Sequence, residues 1–118
     1  MPGLYSFPRA FRLTRKREYA VVFAKGEKGV GRYFVCYWVR RESPGCKLGM
    51  AVSRKVGGAV VRNRIKRYIR EFYRTHRPAF RMSVDLVVVA RPDSAGLRFA
   101  ECAEALRRTL ERGGVLDG

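Results

Sequence analysis

Histidine is nearly absent from this sequence: His76 stands alone among 118 residues. One imidazole is poor material for a His-based metal centre or catalytic dyad, and its simplest reading is an exposed residue just past a helix end. Cysteine is also sparse. Cys36, Cys46 and Cys102 are odd in number and form no CxxC pair, so neither a disulfide framework nor a structural zinc site is expected. Acidic residues number only 10. Glu18, Glu71, Glu101 and Glu104 fall on predicted helices and Asp85 in an apolar strand, and no motif pairs any two of them. Hydrolysis by a protein active site needs an acid and a base, or several metal-binding carboxylates. No such set, and no Ser–His–Asp or Cys–His arrangement, is evident. No apolar run approaches the ~20 residues that span a bilayer. Residues 1–17 lack a hydrophobic stretch with a small-residue cleavage site. A cytoplasmic protein with no membrane-spanning segment is the expectation.

What the chain does have is positive charge. Lys plus Arg number 26, a formal net charge of +16. Residues 1–81 carry 21 basic and 4 acidic side chains, while residues 82–118 carry 5 and 6. A charge run is usually a solvated face, but an excess this large repels itself once folded, and a polyanionic partner relieves that cost. Arg outnumbers Lys 20 to 6, which suits bidentate phosphate contacts and stacking on bases. Composition alone does not separate RNA from DNA or from an anionic membrane. About 47% of the residues are apolar, enough for a core, and the length suits a single domain over residues 1–118.

The pattern along the chain reads as follows. Residues 1–12 mix Pro, Gly and aromatics without a period and read as an extended segment. Thr14 is a candidate N-cap for a short amphipathic helix, Arg15–Lys25, carrying Tyr19, Val22 and Phe23 and ended by Gly26. Gly29 and Gly31 lead into a strand, Tyr33–Arg41, and Ser43-Pro44-Gly45 reads as a hairpin turn to a second strand, Lys47–Ser53. Gly57-Gly58 opens a long helix from Ala59 to about His76, with an apolar stripe of Val61, Ile65, Tyr68, Ile69 and Phe72. Val84–Ala90 is a nearly continuous apolar run, as in a strand buried on both faces. Phe99–Arg112 is a last amphipathic helix, with Cys102, Leu106 and Leu110 inward. The order is that of a single α/β sandwich.

Two constellations carry chemistry. Arg62, Lys66 and Arg70 share one face of the long helix at i, i+4, i+8, with Asn63 and Arg67 beside them. Like charges at that spacing weaken a helix, and a stripe of them can track a phosphate backbone. Arg54 and Lys55 flank the helix N-terminus, where free N–H groups favour an anion; the glycine pair lacks the Gly-Lys-Ser/Thr ending of a nucleotide-binding loop. The second constellation is aromatic. Tyr19 and Phe23 share a helix face, and Val35 and Tyr37 point to the opposite side of the strand from Phe34 and Trp38. Phe34 and Trp38 read as core. Tyr19, Phe23 and Tyr37 read equally well as core or as platforms on which unpaired bases stack.

The segment GMAVSRKVGGAVVRNRIKRYIRE, Gly49–Glu71, is similar to the signature of bacterial ribonuclease P proteins, with its basic helix containing Arg-Asn-Arg. LTRKREYAVVFAKG resembles that family's first helix, YFVCYWVRR its long strand and DLVVVARP its last strand, over roughly residues 11–112. The resemblance implies an α+β sandwich like the second domain of ribosomal protein S5, in the order αβββαβα with a left-handed βαβ crossover. It implies a subunit of the ribonucleoprotein that removes the 5′ leader from precursor tRNA. There the catalyst is an RNA subunit with its Mg²⁺ ions, and no protein active site or obligatory protein partner is needed. Carried over by position, Arg62, Asn63, Arg64, Lys66, Arg67 and Arg70 would bind the catalytic RNA, with Arg54 and Lys55 extending that surface. Tyr19, Phe23, Val35 and Tyr37 would line a cleft for the single-stranded leader. Gly58 departs from the family's usual Asn, which removes a side-chain N-cap; Tyr19 stands where Phe is common. A stand-alone RNA-binding or ribosomal protein suits the charge equally well but not the full motif, and a nuclease acting alone lacks an active site.

Overall fold

The computed structural model describes residues 12–117. The expected extended segment, residues 1–12, therefore lies outside the described residues except for Arg12. The element order is α1 (Lys16–Lys25), β1 (Glu27–Val30), β2 (Phe34–Arg40), β3 (Lys47–Ala51), α2 (Ala59–His76), β4 (Val84–Ala90) and α3 (Phe99–Arg112). Short 3-10 turns at Arg77–Ala79 and Pro92–Gly96 flank β4.

The four strands form one mixed sheet in the order β1-β2-β4-β3. β4 runs antiparallel to β2 and parallel to β3, so β3, α2 and β4 form a parallel crossover unit. This overturns the hairpin expected at Ser43-Pro44-Gly45. Residues 41–46 instead join two strands that are not neighbours, crossing the roughly 10 Å that the intervening β4 occupies. The cause is the apolar run itself. Val84, Leu86, Val87, Val88 and Ala90 are all buried, and a strand that is apolar on both faces gains most at the centre of a sheet. The glycine-containing stretch before β2 is likewise not merely a lead-in. Glu27–Val30 pairs with β2 antiparallel, Glu27 opposite Trp38 and Val30 opposite Val35. The indole N–H of Trp38 donates to Glu27 Oε2 at 2.9 Å.

Side-chain alternation divides the sheet into two faces. Phe34, Cys36 and Trp38 of β2 and Leu86 and Val88 of β4 meet α2 and α3 in the main core, joined by Ile65, Ile69, Phe72, Cys102, Leu106 and Leu110. Tyr73, which the helical stripe omitted, is also buried, and its hydroxyl donates to the Cys46 carbonyl at 2.7 Å. Among the described residues, the opposite face carries only α1, whose Val22 packs with Leu13 and Val87 in a smaller cluster. One short helix covers less of a sheet than two, so the described elements leave part of this face uncovered.

Local details follow from cap chemistry. The N-cap of α1 is Arg15 rather than Thr14. Glu18 Oε1 accepts from the N–H groups of Arg15 (3.1 Å) and Thr14 (3.3 Å), satisfying donors that the first turn leaves unpaired. Burial opposes charge on Glu18, but those N–H groups and the Lys47 ammonium outweigh it and hold the carboxyl below its ordinary range. His76 is the last residue of α2 rather than a residue beyond it; half-buried, it stacks on Phe72 with ring centroids 4.1 Å apart.

Candidate nucleic-acid interface

α2 carries the basic surface because its apolar residues fix its rotation. With Ile65, Ile69, Phe72 and Tyr73 buried, the helix period turns Asn63 and Arg67 fully outward and leaves Arg62, Lys66 and Arg70 half-buried along one flank. The stems of such residues lie on apolar surface while their heads stay in water. Among the described residues, no carboxylate forms an ion pair with Arg54, Lys55, Arg62, Lys66, Arg67 or Arg70. The acidic side chains are spent elsewhere: Glu104 and Glu111 pair with Arg107, and Asp85 with Arg41 at 2.7 Å. Bonds to the guanidinium groups of Arg107 and Arg108 hold Glu104 below the ordinary carboxylate range.

Arg64 stands apart from the others. Its Nη2 donates to the Ala95 carbonyl at 2.7 Å, tying α2 to the turn before α3. Arg54 and Lys55 are exposed in the turn between β3 and α2, beside the N-terminus of the helix. Gly58 is the N-cap of α2 and supplies no side-chain acceptor. The first-turn N–H groups of α2 are thus left without a side-chain cap from this position.

The aromatic residues occupy the open face of the sheet. The ring of Phe23, 44% exposed, meets Tyr37 edge-to-face with centroids 4.9 Å apart. Lys28, opposite Tyr37 across the β1–β2 pair, places its Nζ 5.6 Å from that ring's centroid. Val35 lies two residues along the same face, opposite Val89. Tyr19 lies over β3, where Gly49 makes room for it: a Cβ at Gly49 would stand 2.7 Å from the phenol ring. Tyr19 and Tyr37 also pack against the small cluster beneath α1. The two readings that the spacing left open thus meet in the same side chains, which are anchored along one edge and exposed along the other. Sequence reading passed over Lys28, Gly49 and Arg12. Lys28 and Gly49 acquire meaning only through strand register, and Arg12 through its bridge to Leu48.

The described residues contain no group of three or more His, Cys, Asp or Glu side chains placed to hold a metal ion. Cys36 and Cys102 are buried, and burial pushes each thiol up to about 12, too high for a nucleophile near neutrality. None of the described helices is long and apolar enough to cross a membrane. The described surface thus pairs a cationic helix with Tyr19 at its side and a half-exposed Phe23–Tyr37 pair on the same sheet face as α1, residue types that bind RNA through phosphates and bases.

The family model described as Ribonuclease P matches residues 7–114. The ribonuclease P protein component of Desulfovibrio desulfuricans is 41% identical over 112 residues, covering 92% of this chain and 86% of the relative. That of Dictyoglomus turgidum is 36% identical over 117 residues, covering 97% and 98%. The solved structure of the Staphylococcus aureus RNase P protein aligns with a TM-score of 0.86 at 30% identity, over 92% of this chain and 100% of that one. The Thermotoga maritima RNase P protein aligns at 0.79 and 29%, over 91% and 98%.

Proposed function

Given that this chain belongs to the family of ribonuclease P protein components, subunits of the endoribonuclease that matures the 5′ end of tRNA, we propose a division of its surface between two RNAs. Along α2, Arg62, Asn63, Lys66, Arg67 and Arg70 bind the catalytic RNA subunit, with Arg54 and Lys55 extending that contact. Arg64 acts there mainly as a brace for the helix. The cleft between α1 and the sheet, lined by Tyr19, Phe23, Val35 and Tyr37, holds the single-stranded 5′ leader of precursor tRNA.

The observation that carries this reading is the half-exposed Phe23–Tyr37 pair, with Lys28 over the tyrosine. A ring fixed along one edge presents its free face without further loss of side-chain entropy, and a base stacked on it gains about 1–3 kcal/mol. The lysine attracts the adjoining phosphate. On α2, each Lys or Arg that neutralises a phosphate releases condensed counterions, so the helix binds structured RNA with little need to read its sequence.

In this proposal hydrolysis belongs to the RNA subunit. Mg²⁺ ions held by that RNA supply the activated water and the charge compensation for the reaction. Among the described residues no three His, Cys, Asp or Glu side chains cluster where they could hold such an ion, and in this reading the protein's part is to bind, orient and neutralise. Its cations lessen repulsion between two polyanions and so lower the Mg²⁺ concentration that the complex needs. An assembly of this kind works where tRNA is made, in the cytoplasm, with no protein partner required.

Tyr37→Ala tests the cleft. In the holoenzyme it should weaken binding of precursor tRNA by about 5- to 150-fold, the loss of one stacked base, while mature tRNA, which has no leader, binds as before. If the variant folds and assembles normally yet still discriminates precursor from mature tRNA, Tyr37 does not touch the leader.

A further inference from the structure

The aromatic cleft and the basic helix meet at the outer edge of β3, in an open cavity of about 480 Å³. Tyr19 from α1 forms one wall, Lys66 and Arg70 from α2 another, and Leu48 and Met50 of β3 the floor. Arg12 closes the remaining side. It is placed by the chain entering α1: Arg12 bridges to Leu48 in parallel register, and the Leu13 N–H donates to the Leu48 carbonyl at 3.0 Å. The buried Leu13 side chain then anchors that segment in the cluster beneath α1. Three cations from two segments more than fifty residues apart thus converge on one hollow that no carboxylate lines. None of the three forms an ion pair among the described residues. Lys66 and Arg70 already repel at i, i+4, and Arg12 adds to that repulsion unless an anion sits between them.

The neighbouring Tyr19 narrows the kind of anion. Its ring offers an aromatic face at the end of the leader cleft, directly beside the cations, which matches a nucleotide with its base on the ring and its phosphate in the hollow. We propose that Arg12, Lys66 and Arg70 together hold one backbone phosphodiester of the single-stranded leader where it leaves the aromatic cleft and turns round the edge of β3 towards α2. The inference rests on the leader-cleft reading above, reassigns to the leader the two α2 cations that share the hollow with Tyr19, Lys66 and Arg70, and adds a fixed phosphate and a residue, Arg12, outside both constellations. A phosphodiester of the RNA subunit has the same chemistry. Continuity with the Tyr19 end of the cleft favours the leader.

Precursor tRNAs bearing a single uncharged methylphosphonate at successive leader positions separate these sources. They are titrated against the holoenzyme reconstituted with wild-type protein or with Arg12→Gln. At one position, neutralisation should weaken binding to the wild-type complex by about tenfold, as expected for loss of a charge-assisted contact. In the Arg12→Gln complex the penalty at that position should shrink to about threefold, because one of the three partners is already gone. An undiminished tenfold penalty overturns the assignment. So does weaker assembly of Arg12→Gln with the RNA subunit, in the absence of precursor, with no change in the leader profile; the hollow then serves the RNA subunit. If wild-type complex responds at no leader position and Tyr37→Ala is silent as well, the leader-cleft reading itself has failed. Should Arg12→Gln lower the melting temperature by more than a few degrees, Arg12→Met, which keeps an aliphatic stem and removes the charge, replaces it in the same cycle.

Discussion

Replacing Gly49 by alanine would set a methyl group 2.7 Å from Cε1 and Cζ of Tyr19 and 2.8 Å from its hydroxyl oxygen. To regain ordinary contact at about 3.4 Å the ring must retreat by about 0.7 Å. It is free to do so, since Tyr19 is only half-buried and its bond to the Leu13 carbonyl is already long at 3.4 Å. The strain should therefore fall at or below the lower end of the 1–3 kcal/mol usual for overpacking. Gly→Ala recovers about 0.4–1 kcal/mol through the unfolded chain, so the net change in stability should stay within about 1 kcal/mol. The leader should feel more. A displacement of that size forfeits about a quarter to a half of a dispersion contact, and half of a base stack corresponds to about 3- to 10-fold in affinity. Calorimetric melting of the protein, alongside holoenzyme affinities for precursor and mature tRNA, checks both halves. A melting temperature lowered by more than about 6 °C with unchanged precursor affinity would refute the reasoning, because Tyr19 would then be a core residue and nothing else.

Affinity for the RNA subunit should fall steeply with salt, with a log–log slope near −3 to −5 if about 4–6 phosphates are neutralised, and Arg67→Ala should reduce its magnitude by about one unit. A salt-independent affinity would contradict an electrostatic footprint on α2. Arg64→Ala should behave differently: loss of the bond to Ala95 should cost about 1–3 kcal/mol of stability, while the salt slope changes by less than it does for Arg67→Ala. Equal slopes with equal stabilities would place both arginines on the RNA. Cys36 and Cys102, protonated until about pH 12, should escape maleimide labelling in the folded protein and react once it is unfolded. The unfolded chain releases those protons near 9, so stability should fall as pH rises beyond that value; rapid native labelling of Cys36 would contradict its burial.

The parts legible in the sequence are those fixed by local periodicity. α2 and α3 follow from stripes at helical spacing, and β4 from an apolar run of strand length. The basic face of α2 was readable for the same reason, since the buried stripe sets the rotation of the whole helix. Strand order was not legible. Whether Val84–Ala90 inserts between β2 and β3 depends on pairing with partners 38 to 56 residues away, while the turn chemistry of Ser43-Pro44-Gly45 is compatible with a hairpin that never forms. β1 was obscured by Gly29 and Gly31, and it is its partner β2 that makes it a strand. Arg64 shows the limit within a correctly read motif: spacing placed it on the helix surface, but only the position of Ala95 shows that its guanidinium is engaged. Arg12 was invisible as a site residue because its neighbours in the hollow lie on a helix more than fifty positions away. The resemblance to ribonuclease P proteins supplied the number and order of elements that periodicity left open.

The central claim is that this protein binds and positions RNA while the RNA subunit performs the cleavage. Its most direct test is a three-way comparison at low Mg²⁺, with precursor tRNA given the protein alone, a bacterial ribonuclease P RNA alone, or both. The account predicts no cleavage by the protein, little by the RNA, and efficient release of the leader by the two together, leaving a 5′-phosphate on the tRNA. Robust cleavage of precursor tRNA by protein shown to be free of RNA would contradict it.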